Sequence, residues 1–505
     1  YLRSQMDPEI SFFGPIEGLS EFLQFVSRST YSGADHEAGA GLADKLGYLR
    51  YQGWAVLDQF TPLGALLAAL GLLMPGRHRR VTLALLAGAL CVSLLLVLLL
   101  DRDFTRLGVF VYRVYPIPAY AVLALFLALG LQRAWTWFDR LPTPGGAGAV
   151  RAAAVLAVIA LPLMAHFPAN YRADYDWAER YARAVLDEVP PGGILLLQGD
   201  VDALPIGYVR LVLGHREDVA IYGAKGLLFR NRPFDPWEVR DDAGKQAALR
   251  RLVEESGRPV CFNGIRGRLG GDLGLRWNGL TSCYDTERDD VYSRVSDAAI
   301  ERYIALQNAR DADNWTMMAA DSLDGQMVHV LIVESFRSDP ESRPRLHEAI
   351  DRARYGLRGM TAFIRYSLDA GVPLSPEESL ALLEEAHRQA DEAYTKQDLI
   401  DLYRLTAREL DRAGRGEEAL EMLHRAVAVK PEWRNDALPE LLTRLFREGR
   451  AGEVRAVAEL DPDLAVLPEV YAFYDASRED ETFAVTLERP GLVIELDADG
   501  TFVIR

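Results

Sequence analysis

The residues best suited to bind a ligand lie in the stretch FVYRVYPIPAY (110–120), which joins two strongly apolar runs. It contains Arg113, followed by Tyr115 and Tyr120 with two prolines between them. A guanidinium group binds phosphate oxygens through paired N–H donors, and tyrosines are stable at the surface of a bilayer. Two interpretations follow: a site for a lipid phosphate, or an aromatic belt in which one arginine reaches the interface.

Weaker candidates lie near the start of the chain. Arg3 and Arg28 precede the apolar runs and are alternative phosphate ligands. The segment YSGADHEAGAG carries Asp35, His36 and Glu37 in a glycine-rich context. Three adjacent side chains in a loop do not have the spacing of metal ligands, so a solvated loop is the favoured interpretation.

Two carboxylates follow an apolar strand in the later part of the chain. The segment 192–222 predicts a strand, a helix and a second strand, which is the order of a βαβ unit. Asp200 and Asp202 would then lie at the carboxyl end of the first strand, where open α/β sheets bind ligands. The alternative is that Asp200 caps the helix that follows it.

Four apolar segments predict a membrane block over residues 59–168. The segment VTLALLAGALCVSLLLVLLL (81–100) is uncharged throughout and is about long enough to cross a hydrocarbon core of ~30 Å. The other segments are shorter and need flanking residues to span the core. They are TPLGALLAALGLLMP (61–75), IPAYAVLALFLALGL (117–131) and VRAAAVLAVIALPLMAHF (150–167).

The basic residues of the short loops predict the orientation of these spans. Segments 76–80 and 132–151 carry the arginines that mark a cytoplasmic side, which places the loop 101–116 and both flanking regions outside. We therefore expect a multi-pass protein of the bacterial inner (cytoplasmic) membrane with its soluble C-terminal domains in the periplasm. Because the sequence opens on YLRSQMDPEISFF, without Met or an apolar leader, we expect it to be the C-terminal portion of a longer polytopic protein.

Composition excludes several functions. A formal net charge of −17 argues against a nucleic-acid partner, because binding to a polyanion requires clustered Lys and Arg. The histidines are scattered and no zinc motif is complete, so no metal site is predicted. The glycine-rich segment 264–274 does not fit a dinucleotide fingerprint, and a flexible loop or hairpin turn is the better interpretation.

The cysteines leave one question open. Cys261 and Cys283 share the soluble part of the chain and would face an oxidising compartment, whereas Cys91 lies inside an apolar segment. A disulfide between Cys261 and Cys283 is allowed, but spacing alone does not show that the side chains meet.

The last third of the chain has the pattern of helical repeats. Over 400–433 the large, small, aromatic and proline positions agree with those of the 34-residue tetratricopeptide repeat. The matching positions are Tyr403, Ala407, Leu410, Ala419, Leu423, Ala426 and Pro431. A stack of such helix pairs binds protein segments in a concave groove, although a purely structural cap on the α/β domain is equally compatible.

The stretch at 113–120 has a family resemblance. An arginine followed by Tyr-x-x-Pro-x-aromatic at the head of a late span, as in Arg113, Tyr115, Pro118 and Tyr120, resembles lipid-linked-sugar glycosyltransferases of the C superfamily. The resemblance implies that Arg113 pairs with the phosphate of a polyprenyl-phosphate-linked sugar. That lipid-linked sugar is the expected donor, no residue is assigned to a metal, and a requirement for a divalent cation stays open.

Three longer blocks, 1–31, 59–73 and 192–222, resemble the bacterial domain-of-unknown-function family 2723. That family is related to protein O-mannosyltransferases and is grouped with glycosyltransferase family 117. Its N-terminal half, where C-type enzymes keep an acidic residue in the first external loop, is not in this sequence. No catalytic residue can therefore be carried over, and the catalytic residue stays unknown.

The expected fold is a partial C-type polytopic helical membrane block, a soluble α/β domain, a helical tetratricopeptide-like solenoid and a short β tail. The expected boundaries are 1–58 (external loop with an amphipathic helix), 59–168 (four spans), 171–295 (α/β), 297–375 (helical linker region), 376–465 (repeats) and 466–505 (β tail). Two functions are compatible with this order. One is sugar transfer from a polyprenyl-phosphate carrier to a periplasmic protein or glycan; the other is a non-catalytic membrane-anchored scaffold that binds proteins through its repeats.

Overall fold

The protein is described here from a computed structural model, which is mostly helical and contains two small sheets. The structure describes residues 9–10, 16, 18–27, 40–73, 79–99, 102–138, 147–171, 175–226, 228–236, 238–239, 241–263, 274–285, 295–309, 317–338, 343–354, 356–369, 374–393, 395–431, 435–461, 464–476, 484–489, 492–497 and 500–504. The chain divides into two compact units. The apolar unit comprises Tyr31–Tyr175 with Tyr394–Lys396, and the mixed unit comprises Tyr1–Thr30, Asp176–Ala393 and Gln397–Arg505.

The apolar unit is built from long helices joined by short connections. Its helices are Leu42–Leu73, Arg79–Leu90 continued through the π-helical turn Cys91–Leu95 into Leu96–Leu99, Arg106–Tyr112, Ile117–Phe138 and Ala147–Asn170. Three helices of the described part are long and apolar enough to cross a membrane: Leu42–Leu73, Arg80–Leu99 and Ile117–Trp137. The fourth predicted span falls within Ala147–Asn170, whose apolar stretch among the fully described residues, Val155–Pro168, is shorter than these three. The four-span arrangement therefore stays a prediction.

The first of these helices is broken at a Thr-Pro pair. Thr61 has φ 59° and ψ 162°, which is outside the helical region, and its hydroxyl accepts a hydrogen bond from Gly64 N at 3.5 Å. Pro62 has no N–H to donate to the carbonyl four residues earlier. That carbonyl, on Asp58, accepts instead from His166 Nε2 at 2.8 Å, which joins the broken helix to Ala147–Asn170.

Two glycines set the closest approach between the helices Leu42–Leu73 and Ile117–Phe138. A Cβ atom built on Gly71 would lie 1.9 Å from the carbonyl oxygen of Phe126, and one built on Gly130 would lie 1.8 Å from that of Leu67. Backbone therefore contacts backbone directly, as is common where small residues line a helix interface in membranes.

The mixed unit contains a five-stranded sheet. Its strands are β1 (Ile194–Leu197), β2 (Ala220–Gly223), β3 (Val260–Asn263), β4 (Gly274–Trp277) and β5 (Thr281–Asp285). The order is β2-β1-β3-β5-β4, with β1 parallel to β2 and β3, and with β5 antiparallel to β3 and β4. The helices Trp177–Glu188, Asp200–Leu211 and Asp242–Glu255 accompany the sheet, so segment 192–222 forms the expected βαβ unit.

The two soluble-part cysteines form a disulfide across this sheet. Cys261 on β3 pairs directly with Cys283 on β5, and their sulfurs are bonded. The sequence left this pairing open, and strand register brings the two side chains together. Cys91 is free and exposed.

Helices follow the sheet as far as Ala476. They are Asp297–Asn308, Met317–Arg337, Pro344–Ala353, Leu357–Asp369, Pro376–Arg388, Lys396–Arg412, Gly416–Val429, Leu438–Glu448, Ala451–Ala458 and Leu467–Ala476. The small positions Ala407, Ala419 and Ala426 are buried in one hydrophobic core with Phe446. This agrees with close packing of helix pairs, whereas a continuous solenoid stays a prediction.

The chain ends in an antiparallel sheet of β6 (Ala484–Arg489), β7 (Leu492–Asp497) and β8 (Phe502–Ile504). Two boundaries differ from expectation. Helix Leu42–Leu73 begins inside the segment predicted as an external loop, because Tyr48 and Ala55 bury one face despite several charges nearby. The predicted β tail begins with a helix, Leu467–Ala476, whose Tyr471 and Tyr474 pack on Phe446.

Candidate functional site

The stretch 110–120 forms a helix end, a turn and a new helix. Arg106–Tyr112 ends before a turn, and Ile117–Phe138 begins directly after Pro116. Pro118 lies in the first turn of the new helix, where its missing N–H leaves no bond unmade. The amide of Tyr120 donates to the carbonyl of Pro116 at 3.0 Å, so the second helix is ordered from its start.

One tyrosine of the stretch is a structural residue. The ring of Tyr112 is buried, 5.0 Å from that of Tyr48, and its hydroxyl donates to the carbonyl of Ser93 at 3.1 Å. Gln52 Nε2 donates to the same hydroxyl. Ser93 lies in the π-helical turn, and a side chain that bonds to such a widened turn stabilises it. Tyr112, the last residue of helix Arg106–Tyr112, therefore links helix Leu42–Leu73 to the π-helical turn Cys91–Leu95.

Arg113 projects from this packed base. Its side chain is exposed, and its guanidinium carbon lies 4.3 Å from the ring centre of Phe110. Within the described part of the chain, no carboxylate forms an ion pair with it. Stacking on an aromatic face orients a guanidinium group and leaves the N–H donors at its edge available.

Three further side chains are linked to Arg113 through Tyr51, and we call the four residues the arginine–tyrosine cluster: Tyr51, Asp58, Arg113 and Tyr120. Tyr51 lies close enough to Arg113 and Asp58 to interact electrostatically with both, and Tyr120 interacts with Tyr51 and Asp58. The ring of Tyr120 lies 6.3 Å from that of Phe60, beside the break in the first helix. The cluster thus combines one cation, one carboxylate and two phenols.

Of the other predicted phosphate ligands, one is packed in a small core and two lie outside the described residues. Tyr115 packs against the small core of Tyr48, Val97 and Tyr112, which gives it a structural contact. Arg3 and Arg28 lie outside the residues that the structure describes. Asp35, His36 and Glu37 also lie outside them.

Asp200 and Asp202 lie at the carboxyl edge of the parallel strands, as predicted. Asp200 is the exposed first residue of helix Asp200–Leu211, and Gly199 occupies the N-cap position with φ 88°. Asp200 is therefore not the cap. Asp202 is half-buried and accepts a hydrogen bond from the hydroxyl of Tyr181 at 2.8 Å.

Tyr181 extends this contact to the neighbouring strand. Its buried hydroxyl lies close to the side chain of Asn263, the last residue of β3, and burial beside Asp202 raises the pKa of Tyr181 well above its ordinary value. Among the described residues, the amide oxygen of Asn263 has no hydrogen-bond partner. Asp202, Tyr181 and Asn263 therefore form a polar chain between β1 and β3, the point where strand order reverses.

A buried carboxylate lies at the C-terminal end of helix Trp177–Glu188, seven residues after Tyr181 and close enough to interact with it electrostatically. Glu188 is the last residue of this helix, and it accepts from the amides of Leu280 at 2.6 Å and Thr281 at 3.0 Å. Arg302 Nη2 donates to it at 3.2 Å. Burial outweighs these favourable contacts and raises the pKa of Glu188 from 4.5 to about 7. The carboxylate clamps the turn between β4 and β5.

We expect the free energy of unfolding to depend on pH through Glu188. Because its folded pKa of about 7 lies above the unfolded value, its contribution to stability is greatest below pH 4.5 and declines as pH rises to about 7. From below pH 4.5 to above pH 7 the free energy of unfolding should fall by roughly 3 kcal/mol from this group. Thermal unfolding of the full chain at pH 5 to 8 should show this decline, and Glu188→Gln should flatten it. Glu179→Gln, on the same helix but only half-buried and paired with Arg183, is the matched control, and an equal slope in all three proteins would contradict the assignment.

A groove of about 780 Å³ lies between helices Lys396–Arg412 and Leu438–Glu448 and the strand β8. Its lining contains more cations than anions. The cations are Arg404, Arg408, Arg412, Arg444 and Arg447, and the anions are Asp411, Glu440 and Glu448. The amide of Phe502 donates to Thr443 Oγ1 at 2.9 Å, so the end of the chain closes one side of the groove.

Neither a metal centre nor a relative identifies the activity. Across the residues that the structure describes, no group of three or more His, Cys, Asp or Glu side chains is arranged to hold a metal ion. Comparisons with protein-family models, with curated proteins and with solved structures found no match. The function is therefore argued from the sites themselves.

Several site residues were not found from the sequence. Tyr51 and Asp58 lie seven positions apart, which is the spacing of one helix face, but their segment was predicted to be a loop. Tyr181 and Asn263 are 82 positions apart and meet only through sheet packing. The Thr61-Pro62 pair inside an apolar run was the available signal for a broken helix.

Proposed function

We propose that this chain is the C-terminal part of an integral-membrane glycosyltransferase that transfers a sugar from a polyprenyl-phosphate carrier to a periplasmic protein or glycan. In this proposal the arginine–tyrosine cluster binds the phosphate of the carrier. The resemblance to family 2723 and to C-type glycosyltransferases motivates the reaction class.

The observation that carries the proposal is the state of Arg113. It is an exposed cation that stacks on Phe110 and pairs with no described carboxylate, and it lies at the head of a helix long enough to span a membrane. Ionisable residues within membrane spans commonly mark substrate pathways, and Arg113 lies four residues before such a candidate span. A phosphate group on a lipid would supply the ion-pair partner that Arg113 does not find among the described residues.

The chemistry expected of Arg113 is electrostatic. When a sugar leaves its carrier, negative charge grows on the phosphate oxygen that is released. A guanidinium group that donates two parallel hydrogen bonds to that phosphate stabilises the charge where it develops. The phenol of Tyr51, which interacts electrostatically with Arg113, provides a further donor.

Residues before the candidate spans are hydrogen-bonded to residues after them. This supports the placement of both segments on the same side of the bilayer. Ile10 forms an antiparallel bridge with Phe229, and the amide of Arg230 donates to the carbonyl of Glu9 at 3.0 Å. Hydrogen-bonded segments lie on the same side of a bilayer, so the chain between them must cross an even number of times. The three candidate spans meet this condition if Ala147–Asn170 also crosses.

We expect Arg113→Ala to weaken binding of a polyprenyl phosphate by about 10- to 100-fold, because a charge-assisted contact is lost. The measurement is native mass spectrometry of the delipidated full chain with a polyprenyl phosphate and with the matching uncharged polyprenol. Arg113→Lys keeps the charge without the paired donors, so its affinity for polyprenyl phosphate should lie between those of the wild type and Arg113→Ala. Arg113→Ala should leave polyprenol binding unchanged, which separates phosphate recognition from misfolding.

A scaffold that recruits an acidic protein segment is the second candidate, and the arginine-lined groove favours it. The same measurement distinguishes the two. If the wild-type chain binds polyprenyl phosphate and polyprenol equally and instead retains an acidic peptide, the carrier site is overturned and the scaffold is supported.

A further inference from the structure

The short helix Leu19–Val26 presents its apolar side to the outside. Four residues of one face are strongly exposed: Leu19 (72%), Phe22 (44%), Leu23 (56%) and Val26 (60%). No residue of this helix is buried. Amphipathic helices of globular proteins normally turn such a face toward the core.

The polar side of the same helix is the more covered one. Glu21 and Gln24 are half-buried, although both are polar, whereas the third polar residue of the helix, Ser20, is exposed. Glu21 Oε2 accepts from the amide of Gly18 at 3.2 Å, and Gln24 Nε2 donates to Ser20 Oγ at 3.2 Å. The polar groups of Glu21 and Gln24 thus have local partners on the more covered side of the helix.

The segment before the helix is attached to the mixed unit. Glu9 and Ile10 pair with residues 229–230, and Ile16 is buried. The helix is therefore held near its N-terminal end by the same unit that carries the five-stranded sheet. Whatever covers the apolar face also positions that unit.

We propose that Leu19–Val26 lies in the surface of the lipid bilayer and holds the mixed unit against it. The first candidate span begins at Leu42, 16 residues after Val26, so a bilayer is within reach of the helix. Phe22 and Phe25 are both exposed, and interfacial helices commonly carry phenylalanine on the side that enters the bilayer. Because residues 19–26 contain no Lys or Arg, binding depends on apolar burial and is independent of anionic lipid.

The test uses the full chain with Cys91→Ser, so that the bridged Cys261 and Cys283 leave a single introduced thiol to label. Leu23→Cys and Gln24→Cys place an environment-sensitive fluorophore on the apolar and the polar side, one residue apart. In phosphatidylcholine nanodiscs we expect the label at position 23 to be quenched by nitroxide lipids. We expect aqueous iodide to quench it several-fold less than the label at position 24.

Two results would overturn the inference. If iodide reaches both labels equally and nitroxide lipids reach neither, the face is covered by water alone. If position 23 instead crosslinks between chains, a second copy covers it. Val26→Cys repeats the measurement on the same face if Leu23→Cys fails to fold, and added phosphatidylglycerol should change neither signal.

Discussion

Gly130→Ala should disrupt the packing of the apolar unit, because its new methyl group would lie 1.8 Å from the carbonyl oxygen of Leu67. The obstacle is backbone, which cannot rotate away as a side chain can. The two helices must separate, and contacts along their whole length weaken. Overpacking typically costs about 1–3 kcal/mol, and we expect a value at or above the top of this range. Gly71→Ala, at 1.9 Å from the Phe126 carbonyl, should behave in the same way.

The controls for this prediction are glycines in the same kind of helix. Gly53 and Gly88 have no atom within 4 Å of a built Cβ, so Ala at either position should be neutral or slightly stabilising. Unfolding in mixed detergent, followed by circular dichroism, compares the four variants. If Gly130→Ala is as stable as Gly88→Ala, the close approach of the two helices is wrong.

Arg343→Met should cost about 3–5 kcal/mol of local stability in the mixed unit, because it leaves a buried carboxylate without its cation. Arg343 and Glu334 are both almost completely buried and form an ion pair. Arg343 also donates to the carbonyl of Val295 at 2.7 Å and to Asp297 at 2.8 Å. We expect hydrogen exchange in helices Asp297–Asn308 and Met317–Arg337 to accelerate by two to three orders of magnitude, roughly one for each 1.4 kcal/mol.

A neighbouring arginine provides the matched control. Arg345 forms exposed ion pairs with Glu348 and Glu301, and exposed pairs contribute about 0–1 kcal/mol, so Arg345→Met should change little. The double variant Arg343→Met with Glu334→Met should recover most of the loss, because both charges are removed together. Equal exchange in Arg343→Met and Arg345→Met would contradict this account.

The arginine–tyrosine cluster and the packed helices beneath it have separable roles. Tyr112, Ser93 and Gln52 form the hydrogen-bonded base from which Arg113 projects. Changes at Gly71 or Gly130 should therefore affect stability and carrier binding together. A change at Arg113 should affect binding alone, and this contrast separates the proposed phosphate site from general damage to the fold.

The local patterns of the sequence determined much of the architecture. The uncharged run 81–100 and the run after Pro116 predicted helices that are long and apolar enough for a membrane. The strand, helix and strand in 192–222 predicted the parallel pair β1 and β2. These predictions succeed because apolar length and periodicity depend on neighbouring residues, which the sequence displays directly.

Only the tertiary structure decided which distant residues meet. Asp58 and Arg113 join one cluster through Tyr51, Ile10 pairs with Phe229, and Cys261 is bonded to Cys283. The outward apolar face of Leu19–Val26 also depends on what covers the helix, since periodicity predicts an amphipathic helix but not the direction it faces. Such contacts depend on strand register and helix packing over long separations, which no local pattern encodes.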